Sequence, residues 1–257
     1  SIVLDLKQAA GQAVLHRLVQ QADVFITNLP LPVRTRLAID ADTGVTDLAA
    51  DPVNPERVYA ASWQARNYPW LSYFTPMVGP GSAIYASNDA GRSWTKLGGE
   101  GWPKGALGRI GLAVTHTASG TRIYASIDAD EVGGLYRSDD GGARWQKVND
   151  APAVATWYES RMTVAPNDPD GLYIVGQSIH YSRDAGKTFT IIRGAPGGDD
   201  YHHIWINPQH PERMITGADQ GTVVSLDGGK TWSDWYNQPT GQFYHLAADN
   251  RFPYWIY

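Results

Sequence analysis

Short runs of alternating apolar and polar residues, separated by glycine- and proline-containing turns, fill the chain from residue 44 onward. This pattern favours half-buried strands in a turn-rich β-protein. The same order recurs: an inner strand, a turn that often carries Asp-Pro or Asn-Pro, and a second strand. Inner strands are predicted at Val45–Ala50, Arg109–Val114, Arg161–Ala165 and His203–Ile206. Second strands are predicted at 57–61, 122–126, 172–175 and 214–217.

A motif of the form Ser-x-Asp-x-Gly-x-x-Trp/Phe occurs four times, starting at Ser87, Ser138, Ser182 and Ser225. The starts are 51, 44 and 43 residues apart, which is the length of one four-stranded propeller blade. Within the motif the aspartate can accept backbone N–H bonds, and the glycine permits a turn that a β-carbon would oppose. The aromatic residue is expected to pack between neighbouring sheets.

The motif and its spacing resemble the Asp-box, or bacterial neuraminidase repeat, proteins, which include sialidases, xyloglucanase-type glycosidases and sortilin-like propellers. The last third, with Asp200–Pro208, Gly217–Gly221, Asn237–His245 and Asp249–Tyr254, is similar to the large sortilin-like bacterial repeat proteins. The resemblance implies a partial β-propeller over residues 41–257 and favours an extracytoplasmic or secreted location. Four blades are expected at about 44–98, 107–150, 158–194 and 202–237, with an incomplete fifth at 243–257.

The first forty residues carry no repeat. Their pattern predicts a strand at 2–6, an amphipathic helix at 10–22, a strand at 24–27 and a short helix at 32–39, a β-α-β-α order. This segment, residues 1–40, is similar to part of the class III CoA-transferases, of the formyl-CoA and carnitine-CoA type. The resemblance places Asn28 and Arg36 near bound CoA, but Asn28-Leu29 and Pro30–Pro32 depart from the family's pattern. The part that carries the catalytic aspartate is absent, so transferase activity is not expected.

Composition excludes several classes of function. The formal charge of −5 gives no basic surface for nucleic acid, and the absence of cysteine excludes disulfides and thiolate metal sites. No apolar run reaches the roughly 18 residues of a membrane-spanning helix, and no secretory signal is recognisable. No cofactor is expected.

The motif residues are interpreted as structural, because they lie at outer turns away from the central channel. They are Asp89, Gly91, Trp94, Asp140, Gly142, Trp145, Asp184, Gly186, Phe189, Asp227, Gly229 and Trp232.

Candidate ligand-binding residues come from aligning the inner strands on their prolines. This puts Asp47, Arg161 and His203 at one equivalent position, with Arg109 in the corresponding place if blade two has a bulge, and His245 in blade five. Because inner strands surround the channel, these side chains should ring its mouth, the end where the inner strands begin. Two arginines there could bind a carboxylate or sulfate in bidentate fashion, or could pair with acidic neighbours.

Catalytic candidates are weaker. Inverting glycosidases need two carboxyls roughly 6.5–9.5 Å apart, and Asp47 with Asp200 is the most plausible pair. Glu159, beside Tyr158 and near Arg161, resembles part of a sialidase site. An aromatic insertion that includes Trp70 could stack on sugars or peptides, or could seal the first blade. No metal site is expected at 199–203, because adjacent histidines on a strand point to opposite faces.

The sequence therefore predicts a mainly β protein that acts as a non-catalytic binding module, with a glycan or a protein ligand. A glycoside hydrolase at the channel mouth is the alternative, and a CoA-binding relic is a third possibility. An open propeller edge also predicts self-association.

Overall fold

The computed structural model describes residues 8–20, 43–65, 77–154, 161–234, 247, 249 and 251–255. It confirms the mainly β, propeller-type fold. Helix α1 spans Ala9–Gln20, close to the helix predicted at 10–22. The strands expected at 2–6 and 24–27, the helix at 32–39 and most of the fifth blade lie outside the described residues.

Each of the four repeats folds into its own antiparallel sheet, with the strands in sequence order from the inner edge outward. Blade one has β1 (Thr43–Ala50), β2 (Val58–Gln64), β3 (Ala83–Ser87) and β4 (Thr95–Lys96). Blade two has β5 (Ile110–Thr117), β6 (Gly120–Ile127), β7 (Gly134–Ser138) and β8 (Gln146–Asn149).

A short 3-10 helix at Pro152–Val154 follows blade two. Blade three has β9 (Arg161–Ala165), β10 (Asp168–Val175), β11 (Ile179–Ser182) and β12 (Thr190–Arg193). Blade four has β13 (Tyr201–Ile206), β14 (Met214–Ala218) and β15 (Gly221–Ser225). Ser233 donates its backbone N–H to Val224 at 2.9 Å, so the chain continues along the outer edge of β15.

The core is divided into three clusters, one between each pair of consecutive blades. Tyr59 and Ile84 of blade one pack with Ile110 and Ile123 of blade two. Tyr124 and Leu135 of blade two pack with Leu172 and Ile174 of blade three. Tyr173 and Ile179 of blade three pack with Tyr201 and Ile204 of blade four. This layered packing brings the inner strands β1, β5, β9 and β13 into contact in succession.

Blade four presents an apolar face on the side away from blade three. Trp205, Ile215 and Val224 are neighbours across β13, β14 and β15, since Trp205 pairs with Ile215 and Ile215 with Val224. Their side chains are 48%, 39% and 38% exposed. The corresponding face of blade three is covered by blade four, so this face has the composition of an inter-blade surface.

Candidate functional site

Strand register determines which side chains share a level at the mouth. Asp47 pairs with Ala61, Arg161 with Val175 and His203 with Gly217. The partners Ala61, Val175 and Gly217 pair with Ile84, Ile179 and Thr222 of the third strand. Each of these third-strand residues lies three positions before the serine of its motif. Asp47, Arg161 and His203 therefore lie at one level of three inner strands.

Arg109 does not lie at that level. The pairing of β5 with β6 runs without a bulge from Ile110 to Thr117, and the equivalent position in blade two belongs to Gly111, opposite Ser126. The expected bulge is missing, so the expectation for Arg109 was wrong by two residues. Arg109 instead lies just before β5, two residues nearer the mouth, where its carbonyl accepts the N–H of Asp128 at 2.9 Å.

Asp47 joins blades one and two. Its Oδ1 accepts the backbone N–H of Leu48 at 2.9 Å, and its Oδ2 accepts the N–H of Leu112 on the neighbouring inner strand at 2.8 Å. Burial raises the pKa of Asp47, while these two N–H bonds and the charges of Arg161 and Arg109 oppose the rise. Both oxygens of this carboxylate are therefore occupied.

Asp128 is a second mouth carboxyl, which the inner-strand alignment missed because the residue follows the second strand of its blade. It is 7% exposed, and its Oδ2 has no hydrogen-bond partner. Burial and the charge of Asp130 raise its pKa to about 6, against the opposing charge of Arg109. A buried carboxyl that keeps its proton in mild acid has the property required of a general acid.

The basic side chains at the mouth are Arg109, Arg161 and His203. Burial and the charge of Arg161 lower the pKa of Arg109, although Asp47 and Asp128 oppose that effect. Burial and Arg161 also lower the pKa of His203. Arg161 therefore lies within electrostatic reach of Asp47, Arg109 and His203, and Arg109 lies within reach of Asp47 and Asp128. Trp63 contributes an aromatic ring at the mouth end of β2, where its Nε1 donates to the carbonyl of Met77 at 2.8 Å.

Of the remaining candidate residues, one lies in the part of the chain that the structure describes. Asp200 lies just before β13, at the mouth end of blade four. Glu159, Tyr158, His245, Trp70, Asn28 and Arg36 lie outside the described residues.

The four motif turns share one hydrogen-bond pattern. In each turn the serine Oγ donates to the aspartate Oδ1 and accepts the N–H of the residue four positions later, the motif glycine, at 2.8–2.9 Å. Donors on the residue four positions after the aspartate hold the pKa of each motif carboxyl at about 2. The tryptophan Nε1 of Trp94, Trp145 and Trp232 donates to the carbonyl of the motif glycine at 3.0 Å.

The motif turns lie at the end of the sheets opposite the mouth. The aromatic residues of the last three motifs pack on the preceding blade: for example, Trp145 joins the cluster of Tyr59 and Ile84, and Trp232 packs against that of Tyr173 and Ile179. A model of the BNR/Asp-box repeat matches residues 223–234, the fourth of these turns. The described residues within 43–65, 77–154 and 161–234 form four propeller blades that carry Asp-box turns.

Comparison with curated proteins extends the likeness over most of this chain. Xyloglucanase Xgh74A of Acetivibrio thermocellus is 28% identical, over 81% of this chain and 27% of the relative. A xyloglucanase of Paenibacillus sp is 29% identical, over 80% of this chain and 18% of the relative. The chain thus spans about a quarter or less of the length of these relatives.

Among solved structures, an ancestral GH74 enzyme aligns with 73% of this chain and 23% of its own length, at 17% identity and a TM-score of 0.49. A model of CoA-transferase family III matches residues 1–60 of this chain. The match confirms the resemblance stated for the N-terminal segment and extends beyond residue 40 into β1 and β2. No helix among the described residues has the length and apolar character needed to cross a membrane.

Proposed function

We propose that the mouth of this propeller binds a β-glucan of the xyloglucan type and that the blades belong to a glycoside hydrolase. The observation that carries the proposal is the pair Asp47 and Asp128, two mouth carboxyls with raised pKa that both interact with Arg109. Glycoside hydrolysis generally uses two carboxyls in different protonation states. The similarity to xyloglucanases over four-fifths of the chain supports this substrate class.

In this proposal Asp128 is the general acid, because its pKa of about 6 keeps it protonated in mild acid. Arg161 and His203 donate hydrogen bonds to sugar hydroxyls, and the ring of Trp63 supplies an apolar surface for a sugar face. Asp47 is the second carboxyl.

A second candidate is a glycan-binding module without hydrolysis. It is favoured by the occupied oxygens of Asp47, which accept the N–H groups of Leu48 and Leu112 and so have reduced capacity to activate water. Coenzyme A binding by residues 1–40 stays a prediction, as does a protein or peptide ligand.

One experiment separates these candidates. The purified chain is incubated with xyloglucan oligosaccharides, binding is measured by calorimetry, and hydrolysis is measured by the release of reducing ends. We expect Asp128→Asn to lower hydrolysis at least about 100-fold and to leave binding largely unchanged, since general acid catalysis contributes 10²–10⁴-fold. Asp150→Asn, an exposed change of the same kind in blade two, serves as the control.

Binding without hydrolysis by the native chain would select the second candidate. Neither binding nor hydrolysis would reject both. Hydrolysis that survives Asp128→Asn would remove Asp128 from the proposed role.

A further inference from the structure

A cluster of three metal-ligating side chains lies at the mouth end of blade four, apart from the carboxyl pair of the proposed function. Asp200 precedes β13, His202 is the second residue of β13, and Asp219 follows β14. One ligand atom from each lies within 4.8 Å of the other two. The backbone pairing of Tyr201 with Ala218 holds the two segments side by side, so the cluster is built on a sheet.

An independent observation at Asp200 points to a cation ligand for this cluster. The Oδ1 atom of Asp200 is buried and has no hydrogen-bond partner, although the residue as a whole is only partly buried. Burying a carboxylate oxygen without a donor or a counter-charge is costly, and a bound ion is one of the few ways to compensate for it.

The surrounding contacts fix the positions of the two segments. Gln220 donates its Nε2 to Asp199 Oδ1, and its Oε1 accepts the N–H of Asp199 at 3.2 Å. Tyr201, which is 1% exposed, donates its hydroxyl to Gly197 at 2.8 Å, and its N–H bonds to Gly176 of blade three at 2.7 Å. Such supporting contacts pre-organise a ligand set and leave only the side chains to adjust.

We propose that Asp200, His202 and Asp219 bind one divalent first-row transition-metal ion, with water in the remaining positions. His202 Nε2 and Asp219 Oδ1 are 2.9 Å apart, a separation that two ligands of one ion can have. Ligand atoms bound tetrahedrally about 2.0–2.2 Å from one ion are about 3.3–3.6 Å apart, so a pair separated by as much as 4.8 Å must close by more than about 1 Å through side-chain rotation. The imidazole nitrogen favours Zn²⁺ over Ca²⁺, which prefers oxygen ligands.

The set uses only one of the two adjacent histidines. His203 lies at the level of Asp47 and Arg161 and has Arg161 as its charged neighbour, so it belongs to the other part of the mouth. The expectation that neighbouring histidines would not share an ion is therefore compatible with a site made by His202 alone.

The test is titration of the metal-free chain with ZnCl₂, followed by calorimetry and by the thermal midpoint. We expect one Zn²⁺ per chain, a raised midpoint, and affinity at least about tenfold weaker in Asp200→Asn, Asp219→Asn and His202→Gln. Asparagine also tolerates the left-handed backbone of Asp200 (φ 54°), so Asp200→Asn removes charge and leaves the local conformation in place. Asp150→Asn is the matched control and should bind as the native chain does.

The proposal is overturned if the native chain binds no Zn²⁺, or if Asp200→Asn binds it with unchanged affinity. Stronger binding of Ca²⁺ than of Zn²⁺ would contradict the assigned class of ion. Circular dichroism checks that each variant is folded, and the visible spectrum of the Co²⁺-loaded chain gives a second measure: its d–d bands should change in His202→Gln and stay unchanged in Asp150→Asn. The test uses no glycan, so its outcome is independent of the proposed hydrolase.

Discussion

Asp128 and Asp47 show how two carboxyls at the mouth acquire different properties from their surroundings. Asp47 receives two backbone N–H bonds, which favour its ionised form and oppose the effect of burial. Asp128 is buried with one oxygen unpartnered and Asp130 nearby, so its proton is retained up to a pKa of about 6. The difference follows from hydrogen bonding, because both groups interact with the positive charge of Arg109.

The raised pKa of Asp128 predicts a specific pH dependence of stability. The folded chain binds this proton more tightly than the unfolded chain, whose aspartates titrate near 3.9, so the contribution is present below that value and is lost as pH rises through about 6. The loss amounts to about 3 kcal/mol. We expect Asp128→Asn to abolish it, as measured by urea unfolding at pH 4, 5, 6 and 7. The Asp-box carboxyls titrate near 2, outside this window. An equal slope in native chain and variant would rule out the assignment.

At the scale of elements, the Asp-box turn combines local and inter-blade interactions. Ser138 is 1% exposed, and its hydroxyl binds both the carboxylate of Asp140 and the N–H of Gly142. The following Trp145 is only 6% exposed because it packs on blade one, whereas Trp94 of the first box is 41% exposed. The aromatic residue of the motif is therefore more deeply buried where a described blade precedes the motif.

Removing the serine hydroxyl from a box tests the local part of this arrangement. In Ser138→Ala the buried N–H of Gly142 loses its acceptor, which costs about 1–3 kcal/mol. We expect a matching loss of unfolding free energy in urea, with native secondary structure retained. Ser119→Ala, in the exposed turn between β5 and β6, should change stability by less than about 0.5 kcal/mol. Equal effects of the two changes would contradict a structural role for the box serine.

At the scale of the molecule, the blades resemble a stack of layers in which each sheet covers the next. The hydroxyl of Tyr124 in blade two donates to the carbonyl of Pro169 in blade three at 2.8 Å, and Arg122 pairs with Asp170 across the same boundary. The stack leaves the face formed by Trp205, Ile215 and Val224 exposed. Apolar inter-blade surfaces of this kind are association sites when they face solvent.

We therefore expect copies of the chain to associate through this face at high concentration. Light scattering over a range of concentrations should show a mass above that of the monomer, and Trp205→Ser should reduce it. Ile191→Ser removes an exposed apolar side chain from outer strand β12 and should have little effect. A monodisperse monomer at all concentrations would eliminate this prediction.

Sequence alone determined the blades, because the Asp-box turn is made by residues at most seven positions apart and its spacing equals the length of a blade. It also indicated Asp47, Arg161 and His203, since their inner strands keep a common register relative to the box. Tertiary structure decided the rest. Asp128 and Asp219 reach the mouth from the ends of second strands. Their acidic character could have been noticed in the sequence, but the burial of Asp128 and the proximity of Asp219 to Asp200 could not. The offset of Arg109 follows from the unbroken pairing of β5 and β6, and the bond from Leu112 to Asp47 joins residues 65 positions apart. Contacts of this kind depend on how blades pack together, and local sequence patterns do not encode them.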